Sequence, residues 1–323
     1  MTPLIITTIN AETKAIKKLK SMPDCRLIIV GDLKTPSYDD AEIDFLSVER
    51  QKALYPELSN ILPYNHYCRK NIGYIHALRS LEFNKLIETD DDNIPYDNWL
   101  ERFSEASFDE TIYGDRNWIN VYRFFTDKLI WPRGLPLEEI KAEHNFIREK
   151  AKNNVGVIQG LADGDPDVDS VFRMVLGEEV TFNWDEFAIG ANTYSPFNSQ
   201  NTLWRKELLP LAYLPSKVTF RYTDILRGMI AQRVFWEKGF TLGFIGASVF
   251  QERNEHSLIK DFTDEVPMFL EQNPIVARLA SMDLSSTTIG EAMICIYTDL
   301  EKVGIVGEGE VSILKTFLEY MDV

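Results

Sequence analysis

The residues best placed to do chemistry stand in one short run, Glu88-Thr89-Asp90-Asp91-Asp92-Asn93. The stretch Lys85-Leu86-Ile87 leads directly into it, so three aspartates are expected at the end of a buried strand, not on a helix face. In extended backbone, residues two apart point the same way. Asp90 and Asp92 are therefore expected to address one site, with Asp91 turned aside toward a ribose hydroxyl. A buried strand that delivers three like charges is costly unless a cation compensates them. Carboxylate oxygens suit Mn²⁺ or Mg²⁺, and such an ion can bridge the two phosphates of a departing diphosphate. The competing reading is a solvated acidic turn, with Asn93 and Pro95 as loop formers.

The elements around this run read as the opening of an α/β sheet. Pro3 to Ile9 is apolar, Ala11 to Leu19 suits a helix, and Arg26-Leu-Ile-Ile-Val-Gly31-Asp32 is a second buried strand. Strand, helix and strand in about thirty residues predict parallel pairing, with ligands beyond the carboxyl ends of the strands. Thr8, Asn10, Asp32 and Lys34 then share one rim. A helix is predicted between Tyr64 and Leu81, with Cys68, Ile72, Ile75 and Leu78 on its apolar side and Arg69, Lys70, His76 and Arg79 elsewhere. Another runs from Tyr222 or Thr223 to Lys238, closed by Gly239 and followed by a strand from Phe240 to Ile245. The middle of the chain reads as turn-rich and aromatic, and Tyr194 to Thr202 as a polar loop. From about Asp261 the pattern is helical. The expected division is a domain over 1–260 and a helical extension over 261–323.

The 323 residues carry a formal charge of −16, which disfavours nucleic acid as a partner because a polyanion needs a basic face. Cys25, Cys68 and Cys295 are far apart and show no disulfide or zinc spacing. No basic leader opens the chain and no run of about eighteen apolar residues occurs, so neither a signal peptide nor a membrane span is expected, and the cytoplasm is the expected location. GxSxG, Walker A and GxGxxG are all missing. Asp163, Asp165, Asp167 and Asp169 form a second acidic loop that could take sugar hydroxyls or a second cation. Met174 at its twelfth position excludes an EF-hand.

Several strings in collinear order resemble the STELLO family of probable glycosyltransferases, and more distantly the reversibly glycosylated polypeptides, or UDP-arabinopyranose mutases. They are Ile29–Pro36, Leu62–Tyr74, Ile87–Asn93, Trp131–Leu137, Asp163–Phe172, Asn198–Thr202 and Thr223–Gly228, and together they cover roughly residues 1 to 265. The resemblance implies a GT-A-type fold with a mostly parallel central sheet, a nucleotide-sugar donor, and a DxD-like metal site at Asp90 and Asp92. It implies that Asp32 faces the base or ribose, and that Lys34, Arg69, Lys70 and Arg253 meet the nucleotide, with Thr8, Asn10 and Asp91 beside them. His256 is implied as a further metal ligand. The family strings favour Asp167, Asp169, Asn198, Gln200 and Arg227 as substrate contacts. Thr223-Asp-Ile-Leu-Arg227 is similar to the acid-x-x-Arg signature of inverting enzymes, which makes Asp224 the base for the acceptor hydroxyl. The alternative for Asp224 is an acid capping a helix.

The function expected on these grounds is metal-dependent transfer of a sugar, from a UDP-sugar by preference, to a glycan or other hydroxyl acceptor in polysaccharide synthesis. A nucleotide-sugar mutase and a catalytically silent scaffold are the rivals.

Overall fold

Apolar, β-branched runs form the centre of the molecule. Leu4, Ile5 and Ile6 are fully buried although successive side chains point to opposite faces, so this strand is covered on both sides. The computed structural model describes residues 1–143, 145–252 and 257–322. Its strands are β1 (Thr2–Thr8), β2 (Cys25–Gly31), β3 (Ile43–Leu46), β4 (Lys85–Thr89), β5 (Asn93–Pro95), β6 (Glu110–Gly114), β7 (Phe146–Lys150), β8 (Val155–Gly164), β9 (Glu186–Ile189), β10 (Asn201–Arg205) and β11 (Thr241–Gln251). The helices are α1 (Lys14–Lys20), α2 (Val48–Leu54), α3 (Pro56–Ile61), α4 (Lys70–Ser80), α5 (Trp99–Glu105), α6 (Ser170–Val175), α7 (Thr223–Lys238), α8 (Leu258–Ser281), α9 (Ile289–Lys302) and α10 (Glu310–Met321).

One sheet runs β3-β2-β1-β4-β10-β8-β11-β9-β6-β7, with β5 on β11. The expected α/β class is the one observed. The expectation of a mostly parallel sheet holds for β3-β2-β1-β4, but β10 lies antiparallel to both β4 and β8, and β9 antiparallel to β11. Because β10 reverses twice, β8 and β11 run in the same sense as β1, β2 and β4. The carboxyl ends of all five therefore meet at one rim, together with the start of β10. β8 and β10 were missed in sequence, whereas the strand expected over Phe240 to Ile245 is the first part of β11. Val155–Gly164 holds Gly156, Gln159, Gly160 and Gly164 among its apolar residues, which masks a strand buried almost throughout.

Two apolar clusters sandwich the sheet. One holds Ile5, Ile72, Leu226, Tyr297 and Phe317; the other holds Leu4, Ile6, Ile16, Trp99 and Phe103. The C-terminal helices share the first cluster through Met268, Leu279, Ile296 and Leu318. α4 comes so close to the sheet that a Cβ on Gly73 would stand 2.5 Å from Ile5 Cγ2, a contact no side chain can make. α7 ends where Gly239 turns left-handed, at φ 72°. Among the described residues no helix is long and apolar enough to cross a membrane.

Candidate active site

A cleft of about 550 Å³ opens at the shared rim. Its walls include Thr8, Asn10, Asp32 and Lys34 from the ends of β1 and β2, and Asp90, Asp91 and Asp92 after β4. Asp167, Gln200, Asp224 and Gln251 close the far side. The sequence placed most of these residues correctly at one rim, because parallel strands put their following loops together.

The acidic run is a turn, not a continuation of the strand: the Asn93 amide donates to the Asp90 carbonyl at 3.3 Å. The alternation argument for Asp90 and Asp92 is thereby corrected, although both still line the cleft. The turn is pinned on its far side, where β5 pairs with β11 and the Glu252 amide donates to the Asp92 carbonyl at 3.1 Å. The three carboxylates have different surroundings. Asp90 Oδ1 accepts from Lys70 Nζ at 2.9 Å and from the Tyr67 hydroxyl at 2.5 Å. Asp91 Oδ2 accepts from the Thr8 hydroxyl and from Asn10 Nδ2, the latter at 2.9 Å, so Asp91 is turned aside onto protein donors. Asp92 receives only a long contact from Gln251 Nε2, at 3.4 Å, and its buried Oδ1 has no partner among the described residues. Burial, then Asp90 and Asp91, push the Asp92 carboxyl up to about 7. Burial also raises Asp90, against the pull of Lys70.

These residues fit a divalent ion. A buried carboxylate oxygen with no donor, held near two more acids, is destabilised until a cation arrives. Asp92 would be the principal ligand, and the second oxygen of Asp90 could contribute. No three acidic, histidine or cysteine side chains converge among the described residues, so a cation here would complete its shell from phosphate and water.

Across the cleft, Arg133 joins two further acids. Its Nε and Nη2 donate to Asp167 at 2.8 Å each, and its Nη1 and Nη2 to Asp224 at 3.0 Å each. Nη1 also donates to the Arg221 carbonyl, which engages all five guanidinium hydrogens. Asn198 Nδ2 adds a bond to Asp167 at 2.7 Å. Burial pushes the Asp224 carboxyl up, but the Arg133 charge and hydrogen bonds outweigh it and bring Asp224 to about 2. Asp224 is thus a fixed carboxylate and a weak base. The Ser199 hydroxyl links the two sides: it donates to Tyr67 at 2.7 Å and lies 3.4 Å from Asp224.

Helix α8 braces this far side. Fully buried Glu265 accepts from Arg221 Nε at 2.9 Å and from the Ser170 amide and hydroxyl at 2.8 and 2.6 Å. The Thr219 hydroxyl donates to the Asp264 carbonyl at 2.5 Å, and Gln272 Nε2 to the Gly134 carbonyl at 2.5 Å. One helix therefore holds the three segments that carry Arg133, Asp167 and Arg221.

Several expected contacts are engaged inside the protein instead. Arg69 is buried; it donates to Gln51, Ser59 and the Leu62 carbonyl and stacks on Tyr64, although part of it reaches the cleft lining. Lys70 has no exposed side-chain surface and serves as the resident counter-ion of Asp90, bonding also to the Thr89 and Ser199 carbonyls. Both were expected to leave the apolar side of one helix and meet the nucleotide, whereas Arg69 lies in the turn before α4, and α4 is buried all round from Lys70 to Ala77. Asp169 caps α6 through the Phe172 amide at 2.8 Å and accepts from Trp131 Nε1 at 2.7 Å, and burial pushes it up to about 6. Arg227 forms a buried pair with Glu88 at 2.8 Å beneath the cleft. Asp32 accepts from the Leu33 and Asn65 amides, both at 2.7 Å, and so shapes the turn after β2. Lys34 is exposed on the cleft wall, Gln200 faces Gln251, and Asn198 points to Asp167. Asp163 accepts from Tyr96 and the Phe182 amide, and Asp165 pairs with Arg173, so the second acidic loop is divided among separate partners and is no cation loop. Arg253 and His256 lie outside the described residues.

Tyr67, Arg133, Phe220, Arg221 and Gln251 also line the cleft and had no role in the sequence reading. Tyr67 and Arg133 stand inside strings already singled out, and an arginine within the apolar turn Trp131-Pro-Arg-Gly-Leu was the available signal. The others have none.

Residues 221–323 match the family model of STELLO glycosyltransferases. Over these residues the chain is similar to the STELLO glycosyltransferases. It is 28% identical over 258 residues to the probable glycosyltransferase STELLO2 of Arabidopsis thaliana, covering 73% of this chain and 34% of that protein. STELLO1 of the same plant is 28% identical over 262 residues, covering 73% and 33%. The chain thus spans about a third of the length of the curated relatives it matches. The family match runs through α8, α9 and α10, which carried no resemblance in the sequence reading past about residue 265. Among solved structures, glucosyl-3-phosphoglycerate synthase from Mycobacterium tuberculosis in complex with Mn²⁺ and UDP-glucose overlaps 88% of this chain and 80% of its own, at 11% identity and TM-score 0.41. S. aureus TarS residues 1–349 overlap 100% and 88%, at 12% identity and TM-score 0.35. Overlaps this loose do not extend to residues.

Proposed function

We propose that the chain is a GT-A-type glycosyltransferase domain that binds a nucleotide-sugar donor, a UDP-sugar by preference, in the rim cleft with Mn²⁺ or Mg²⁺ and passes the sugar to a hydroxyl acceptor. Residues 1–260 would form the transferase core and 261–323 its helical brace. The carrying observation is the donor-less Oδ1 of Asp92, buried beside Asp90 and Asp91 where parallel strands end. The naming of both Arabidopsis relatives as probable glycosyltransferases supports the same reading.

Asp92, with the second oxygen of Asp90, would hold the ion, which supplies charge neutralisation for the departing diphosphate. Lys70 and Tyr67 orient Asp90, and Thr8 and Asn10 fix Asp91 at the nucleoside end of the cleft. On the acceptor side, Arg133 sets Asp167 and Asp224 as aligned carboxylates for sugar hydroxyls. Asp224 takes the acceptor proton once one of its bonds to Arg133 is released; while both hold, it orients the hydroxyl without deprotonating it.

Incubation with a panel of UDP-sugars and Mn²⁺ should release UDP, and Asp92→Ala should abolish the release. A panel that yields no UDP and no metal-dependent nucleotide binding would remove the proposal.

A further inference from the structure

Phe220 is an apolar ring at the edge of a polar cleft, and it is 46% exposed. Exposed phenylalanines are common, but this one is held in place from behind. It begins the short turn Phe220–Tyr222, whose flanks are tied to α8 by Thr219 on the Asp264 carbonyl and Arg221 on buried Glu265. Its ring meets His66 at 6.0 Å and Tyr67 at 5.8 Å between centroids, with planes at 72° and 67°. Both neighbours are thus roughly edge-on to Phe220. Burial holds the His66 imidazole below its usual pKa, so this wall is uncharged near neutrality.

The two neighbours fix where along the cleft the ring lies. Asn65, next to His66, donates its amide to Asp32 at the end of β2, and Tyr67 donates to Asp90. The segment from Asn65 to Tyr67 therefore spans the distance between the nucleoside end and the acidic run, and Phe220 sits against that span. A nucleotide whose diphosphate met Asp92 and whose ribose met Asp91 would share the cleft with this stretch, the one aromatic wall among its described residues that a planar base could use. Aromatic faces bind bases by stacking, with little demand on hydrogen-bond pattern.

We infer that Phe220 is the stacking wall for the nucleobase of a nucleoside diphosphate, delivered to the donor site by the C-terminal half of the chain. The inference rests on the proposed donor reading and adds the subsite and the class of ligand group it takes. The test is calorimetric titration of the full chain with two probes, UDP plus Mn²⁺ and inorganic pyrophosphate plus Mn²⁺. Phe220→Ala should weaken UDP binding about tenfold or more and leave pyrophosphate binding unchanged, and Phe220→Tyr should restore UDP. Undiminished UDP binding by Phe220→Ala overturns the inference alone, as does an equal loss of both probes. So does unchanged UDP affinity with slower UDP-sugar turnover, which would put the sugar on the ring. If the wild-type chain binds pyrophosphate with Mn²⁺ but not UDP, or neither probe, the donor reading fails and takes this inference with it.

Discussion

Replacing Arg133 with methionine keeps most of the side-chain stem and removes the one cation shared by Asp167 and Asp224. Both carboxylates are buried, at 9% and 8% side-chain exposure, so neither can turn to water. Removing one partner of a buried pair costs about 3–5 kcal/mol. The shift of Asp224 from 3.8 to about 2 corresponds to about 2–3 kcal/mol of favourable interaction, of the same order. Since domains are stable by only about 5–15 kcal/mol, urea should unfold the variant at a visibly lower midpoint. The pH dependence gives the sharper test. In the wild type, Asp224 has a depressed folded-state pKa, so its contribution is present above about 3.8 and is lost only as pH falls toward 2. In the variant, burial acts without its main opponent, leaving only the weaker pull of Arg227 and Arg221; the folded-state pKa rises above the unfolded one, and stability falls as pH increases through it. The stability difference between variant and wild type should therefore be larger at pH 7 than at pH 5. Arg133→Lys should recover only part of the loss, because one ammonium cannot fork across two carboxylates. A loss below about 1 kcal/mol, or an equal difference at both pH values, would refute the shared-clamp argument.

Three other substitutions test neighbouring parts. Asp92→Asn should stabilise the metal-free protein at pH 8 by about 1 kcal/mol or more, seen as a higher melting temperature. Because the Asp92 pKa is raised to about 7, metal-free wild type should gain stability as pH drops from 8 to 6, and the variant should lose that dependence. Glu265→Gln leaves half-buried Arg221 with a neutral partner and should lower stability by about 3 kcal/mol in urea titration. Arg227→Lys keeps the charge but cannot serve both Glu88 and the Asn198 carbonyl, and should cost about 1–3 kcal/mol by the same measurement.

The first strands and their rim were legible because strand, helix, strand is a local pattern, and β1, α1 and β2 realise it within a few residues at each end. β4 and its acids were legible for the same reason. β8 and β10 were not: glycines and polar residues interrupt β8, and β10 follows a loop of asparagine, serine and glutamine. Site residues divide by burial. Asp90, Asp91 and Asp92 were legible as rim residues because a charge cluster after an apolar strand is conspicuous. Arg69, Lys70, Asp169 and Arg227 were read as free ligand groups because sequence shows a charge but not the partner that takes it. Arg133 was missed for the converse reason. It forms no local pattern, and its value comes from Asp167 and Asp224, 34 and 91 positions away.

The most direct test is a crystal of the chain grown with UDP and Mn²⁺, with data collected at the manganese edge. The expected result is an anomalous peak about 2 Å from an Asp92 carboxylate oxygen, with the diphosphate on the ion's other side. Manganese bound elsewhere, or a nucleotide lying outside the cleft between Asp32 and Asp224, would contradict the proposed function.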